Sequence, residues 1–592
     1  MDVTTLQTAQ GFVRLADGGT DEAERIVLKK VWRGEVCHTT VMNQGQKAVR
    51  VQEIVLFSGY SALTPNTAFY GEGYQMLSQT AGTLEAPVDV GRYTDHKHYR
   101  MPQTPDMLTA YSMVTLSEDT ESFFLMAFTS CRRFNGIMRL NTERFEIALD
   151  TEGLWLAPQE IWELEELFCA MGTDRNQLLS RLAEQIEGNH PRLPTAEIPS
   201  GWCSWYYYGP RISQQDIFDN LQAIAVKVPQ LRYIQIDDGY QQAMGDWLLP
   251  GARFPGGMKE LCQKIHEEGF EPAMWLAPFI AERGSRLALE HPEWLVKNDK
   301  GEPLLSSEVS FGGWRNGPWY MLDGTHPGTQ EYFEQVFRVM REEWGCQYFK
   351  LDALTWGALH GGQHYDASAT RIEAYRRGMQ AVLRGAGENS FILGCNAPMW
   401  PSLGLVHGMR VSGDIARRWP VISTVARECF WRNWQHNRLW INDPDCVVLD
   451  NKGKRLIGPG GELIETDMTT VTADEFLFHA TAIYASGGMI LSGDNLASLP
   501  DDKIAMLHKL LPPGGIAAQF DDTTYQIGRI QLTDRQVLCL FNWSDEACSL
   551  DVWLDGQHRV RDYWSSEELG VHSGTVHITS LVPHSARLLV CY

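Results

Sequence analysis

Over residues 1–195, apolar and polar positions alternate in short stretches such as RIVLKKVW, AVRVQEIVLFS and ESFFLMAFTS, separated by Gly, Asn, Asp and Pro turns. Period-two alternation of this kind predicts an N-terminal antiparallel β-sandwich. One helix closes it, RNQLLSRLAEQIEGNH, with Leu178, Leu179, Leu182 and Ile186 on one face, before the linker PRLPTAEIPSG. From Trp202 the texture changes to short apolar runs alternating with helical stretches, which predicts parallel strands with helical crossovers. The candidate strands are GWCSWYY, RYIQIDD, PAMWLAP, YFKLDAL, FILGCNAP, GMRVSGD, the region of LWINDPDCVV, and GGMILSGD. Strands in that number predict a central (β/α)8 TIM barrel over residues 196–513 rather than an open sheet. After DDKIAMLHKLLPPGG the alternation returns, predicting a C-terminal antiparallel β-sandwich over residues 514–592. Neither a repeat of solenoid period nor a low-complexity run interrupts the pattern.

Composition narrows the partners. The 592 residues carry a formal net charge of −23, which disfavours nucleic acid and anionic membrane surfaces and suits a neutral polar substrate. The 12 cysteines stand singly, without a CxxC pair, as expected of reduced thiols in a cytoplasmic protein. The first residues lack the basic start and apolar core of a secretory signal, and no run is long and apolar enough to span a membrane. Twenty Trp and 20 Tyr are open to two readings, stacking on the apolar faces of sugars or burial in a large core.

Candidate chemistry collects at the ends of the barrel strands, where such folds keep their active sites. In FKLDALTW, Lys350 and Asp352 are two apart, so both side chains leave the same face of one strand. A lysine there would keep Asp352 ionised as a nucleophile; a structural ion pair is the alternative. Asp414, behind the glycine of MRVSGDIARRW, suits a general acid, or else caps a helix starting at IARRW. Arg410 suits a hydroxyl ligand, or a solvated surface position. Asp237 and Asp238 in IDDGY suit a pair of hydroxyl acceptors, and Trp247 and Trp275 suit stacking walls or plain core. His96, His98, His360 and His364 lack the further ligands of a zinc site, so neither metal nor cofactor is expected. Walker A, GxGxxG and GxSxG motifs are likewise missing.

Taken in order, IDDGY, GDW with RFPGGMKEL, MWLAP, HPEWLV, YFKLDAL, GCNAP, MRVSGDIARRW and NDPDC resemble glycoside hydrolase family 36, the bacterial α-galactosidases, over about residues 200–450. The resemblance implies a retaining exo-α-galactosidase that uses no cofactor and acts on oligosaccharides. Asp352 matches the nucleophile and Asp414 the acid/base. Asp237 and Asp238 match ligands of the O4 and O6 side, and Lys350 and Arg410 match further hydroxyl ligands. Trp275 matches a subsite wall, Cys395 a group near position 2, and Trp205 an aromatic at the pocket edge. A homo-oligomer is also implied. GCNAPMWPSLG departs from the family's Cys-Ser-x-Gly-Gly phrase, which leaves an α-N-acetylgalactosaminidase open. A transglycosylase of the raffinose-synthase kind and a non-catalytic carbohydrate-binding protein stay open as well.

Overall fold

The computed structural model describes residues 2–21, 25–119, 122–453 and 471–592. Eight short parallel strands occupy its centre: β1 (Ser200–Cys203), β2 (Tyr233–Ile236), β3 (Glu271–Leu276), β4 (Tyr348–Leu351), β5 (Phe391–Gly394), β6 (Gly408–Arg410), β7 (Ile441–Asp443) and β8 (Ile490–Ser492). They pair in chain order, and β1 also pairs with β8. Backbone bonds from Met489 N to Asn442 O (3.0 Å) and from Val447 N to Leu491 O (2.8 Å) bridge the remaining seam, so the sheet closes as a TIM barrel. All four residues of β4 are buried, as strands covered on both faces must be, and they therefore read as an apolar run with one lysine.

Helix starts in the barrel follow from local sequence. Ser213 with Asp216, Thr370 with Glu373, and Thr472 with Glu475 form capping boxes at Gln214–Lys227, Arg371–Ala386 and Ala473–Ser486. The expected β/α alternation fails once. Between β5 and β6 the chain makes only a 3-10 turn, Trp400–Ser402. Pro398 and Pro401 disfavour a helix there, and the N-terminal sandwich covers that face instead. Trp400 is buried and donates from Nε1 to Phe128 O (2.8 Å), while Met399 N reaches Tyr74 O (2.9 Å).

The N-terminal part is a sandwich of a six-stranded and a nine-stranded sheet, followed by helix Arg175–Asn189. Asp174 caps that helix, and its buried face holds Leu178, Leu179, Leu182 and Ile186, as the sequence predicts. The C-terminal part is one continuous six-stranded antiparallel sheet. Its long hairpin, Cys548–Asp562 with Glu568–Leu581, changes register between Leu554 and Gln557. Leu538, Leu540, Val552, Leu554, Val576 and Leu589 form a second core there, separate from that of the barrel. Among the described residues no helix is long and apolar enough to cross a membrane.

Candidate active site

Asp352 directly follows β4, and two N–H groups hold its carboxylate. Ala353 N donates to Oδ1 (2.7 Å), and Trp275 Nε1, from neighbouring β3, donates to Oδ2 (3.1 Å). Ala353 has φ +52°, a left-handed conformation that costs a non-glycine residue about 1–2 kcal/mol and here adjoins the Asp352 carboxylate. Burial pushes the Asp352 carboxyl up and Asp414 adds to that, while Lys350 and the two N–H groups oppose. Trp275, expected as a subsite wall, is buried. Its ring stands edge-on to Trp247 with centroids 5.9 Å apart, and its N–H orients Asp352.

Lys350 is buried and pairs with Asp237 rather than with Asp352: Nζ lies 2.9 Å from Asp237 Oδ2. Burial alone would lower the ammonium, but Asp237, with lesser help from Cys395 and Cys203, holds it well above its usual range. Gln235 Nε2 (2.8 Å) shares the same oxygen, and Asp238 N donates to Oδ1 (2.9 Å). Gly239, at φ +127°, closes the turn after this pair. A Cβ there would lie 2.5 Å from Pro210 O.

Asp238 is gripped by Arg315, with Nη2 to Oδ1 at 2.5 Å and Nε to Oδ2 at 3.0 Å. Arg315 escapes the sequence reading because FGGWRNGPWY belongs to a loop between β3 and β4 without periodicity. Its one signal is a lone arginine among Gly, Pro and Trp.

Arg410 is a buried hub and not a solvated cation. It reaches Asp443 Oδ2 (3.1 Å), Asp414 Oδ1 (3.1 Å) and Asp445 Oδ1 (2.7 Å). Tyr206 OH and Ile415 N (2.7 Å) donate to the other oxygen of Asp445. Burial lifts Asp445 to about 6, against the pull of Arg410. Asp414 itself is 53% exposed at its side chain. It is not a helix cap, because the following helix, Trp419–Arg432, takes Arg418 as its N-cap. In the sequence Asp443 and Asp445 are visible only as part of the phrase NDPDC.

Cys395 follows β5 and is buried, and burial, then the Asp352 charge, pushes its thiol well above the usual range. The sandwich covers the next residue: Tyr99 OH donates to Asn396 Oδ1 (2.7 Å), and Asn396 N points at Met76 Sδ (3.0 Å). Tyr99 also packs edge-on against Trp356 and against Phe311, a residue that is 40% exposed. The N-terminal part therefore reaches the barrel mouth, a contribution no local motif announces. Trp205, expected at the pocket edge, lies in the one-turn helix Trp205–Tyr208 and packs half-buried on the apolar core. Of the four histidines considered, His364 pairs with Asp323 (3.1 Å), and His98 stacks edge-on with Tyr93.

Residues 232–377 match the family model for Melibiase. Over 196 residues the chain is 26% identical to the myogenesis-regulating glycosidase of Mus musculus, covering 32% of this chain and 26% of that protein. It is 24% identical over 308 residues to the α-galactosidase Mel36A of Lactobacillus acidophilus, covering 48% and 38%. The chain thus spans well under half the length of these relatives. An α-galactosidase of Thermus thermophilus superposes with a TM-score of 0.62 at 21% identity, over 86% of this chain and 97% of that one. Structural neighbours include proteins of both glycoside hydrolase families 27 and 36. Asp237, Asp238, Trp275, Arg315, Lys350 and Asp352 all lie within a segment that matches Melibiase, on a barrel fold that this chain shares with α-galactosidases.

Proposed function

We propose that the chain is a retaining exo-α-galactosidase of the family 36 type, releasing terminal α-linked galactose from oligosaccharides. The observation that carries this reading is the pair of acids at one barrel mouth. Asp352 has both oxygens held by N–H donors, and Asp414 is solvent-open, anchored on Arg410 and close enough to raise the Asp352 carboxyl. In the first step an Asp352 oxygen bonds to the anomeric carbon as the bond to the leaving oxygen breaks, and Asp414 gives that oxygen its proton. In the second, Asp414 takes a proton from water, whose oxygen displaces Asp352 from the sugar. Lys350 and Arg315, neutralised by Asp237 and Asp238, remain hydrogen-bond donors for hydroxyls. The Melibiase match and the α-galactosidase neighbours support the substrate class.

Hydrolysis of p-nitrophenyl α-D-galactopyranoside tests the reading, and absence of turnover on it would overturn the substrate assignment. Galactose is favoured over N-acetylgalactosamine because Tyr99 and Met76 pack over the Cys395–Asn396 segment, expected beside position 2. The N-acetylgalactosaminide should accordingly react with kcat/KM at least about tenfold lower, the scale on which sterically closed pockets discriminate. Equal rates would contradict that closure.

Asp352 must be ionised to attack, so activity falls as pH drops through its pKa. Because burial and Asp414 place that pKa above the ordinary 3.8, the acid limb of kcat/KM should lie above pH 3.8. Lys350→Met removes an opposing cation and should move the limb to higher pH. A limb that stayed put or moved down would separate Lys350 from Asp352.

A further inference from the structure

We propose that Glu428 is the positioning residue for Asp414, acting through the backbone amide of Gly413. Glu428 lies on the helix Trp419–Arg432, is 2% exposed, and its Oε2 accepts a hydrogen bond from Gly413 N at 2.9 Å. Gly413 immediately precedes Asp414, so this bond fixes the Ser412–Gly413 peptide, one residue before the acid/base side chain. One helical turn on, Arg432 Nη1 donates to Val411 O (3.0 Å), giving the same helix a second grip on residues 411–413. Burial pushes the Glu428 carboxyl up to about 7, so a Glu placed against this loop amide is not an economical way to pack a helix.

The N-terminal sandwich completes the device. Gln79 Nε2 donates to Glu428 O (3.3 Å), and Gly91 lies so close that any Cβ there would collide with Glu428 Oε1 and with Leu77 O, 2.7 Å away. Arg432 binds Glu72 and the carbonyls of Met76 and Ser78. Charged groups facing Glu428 come from its own helix (Arg432), from β6 (Arg410) and from the sandwich (Arg92). The loop carrying Asp414 is thus set by a helix that the sandwich clamps from outside. The role depends on Asp414 being the acid/base, as proposed above, but its geometry stands independently of the substrate.

The test compares Glu428→Leu with Glu428→Gln on two substrates. Melibiose departs through an unactivated hydroxyl oxygen of glucose that needs protonation, whereas p-nitrophenolate from p-nitrophenyl α-D-galactopyranoside leaves with little help. Removing the hydrogen-bond acceptor should lower kcat/KM for melibiose about 30-fold or more, within the range general acids contribute, and for the aryl galactoside by less than about threefold. Glu428→Gln keeps an oxygen for Gly413 and should recover most of the melibiose rate. Should Glu428→Leu not fold, Gly91→Ala, which pushes on the same carboxylate, should give the same leaving-group-dependent loss. Equal losses on both substrates, or none on melibiose, would overturn the proposal. If the wild type hydrolyses neither substrate, the functional reading falls. The positioning role is then decided by the crystal structure of a folded variant, Glu428→Leu or Gly91→Ala. There the 3.1 Å contact between Arg410 and Asp414 should be lost, and its retention would overturn the role.

Discussion

Asp352→Ala is expected to lower kcat by roughly four to six powers of ten, the loss seen when a covalent nucleophile is removed. The size follows from the mechanism, since without an acceptor for the anomeric carbon the double displacement has no first step. Folding should survive. Asp352 is held by Trp275 Nε1 and Ala353 N at the end of β4, and a carboxyl that burial already pushes up gives back desolvation energy when it is deleted. The check is kcat on p-nitrophenyl α-D-galactopyranoside together with a thermal melt. Turnover within tenfold of the wild type, from a protein with an unchanged melt, would end the assignment.

Glu72→Ala is expected to be the most destabilising single change at the boundary between sandwich and barrel. Glu72 and Arg432 are both 0% exposed at their side chains and are joined from Nε (3.0 Å) and Nη2. Gln435 Nε2 adds a bond to the other carboxylate oxygen (3.0 Å). Deleting the acid strands a guanidinium in the interior, which costs about 3–5 kcal/mol, far more than the intact pair contributes. Arg432 also ties Met76 O and Ser78 O to Val411 O, so the loss should loosen the loop carrying Asp414 and reduce activity as well. Chemical denaturation measures the first effect, and a loss under about 1 kcal/mol would show that water reaches Arg432. The double change Glu72→Leu with Arg432→Met removes both buried charges but leaves Met76 O, Ser78 O and Val411 O without their donor, so it should recover only part of the stability.

The sequence makes the barrel legible because its strands are buried on both faces and stand out as apolar runs ending in polar residues. YFKLD and MRVSGD can thus be placed at strand ends before any contact is known. Helix positions follow from capping pairs such as Thr370 with Glu373, which act over three residues. What the sequence hides depends on closure. Arg315 meets Asp238 across 77 residues, and Tyr99 meets Asn396 across 297, and neither has a local pattern to mark it. Strand periodicity points Lys350 at Asp352 because the two share a face. In the closed barrel it points inward to Asp237, two strands away. The helix expected between β5 and β6 is absent for a related reason: the outer face of MWPSLG is covered by Phe128 and Tyr74 of the sandwich, which no local signal announces.

In the double displacement Asp352 becomes covalently bonded to the sugar. Mass spectrometry of the peptides formed after incubation with 5-fluoro-α-D-galactopyranosyl fluoride tests it most directly, because the ring fluorine slows breakdown of the intermediate. The expected result is one added fluorogalactosyl group on the peptide containing FKLDALTW, located at Asp352 by fragmentation. A label on any other residue, or turnover of the unmodified substrate with inversion at the anomeric carbon, would contradict it.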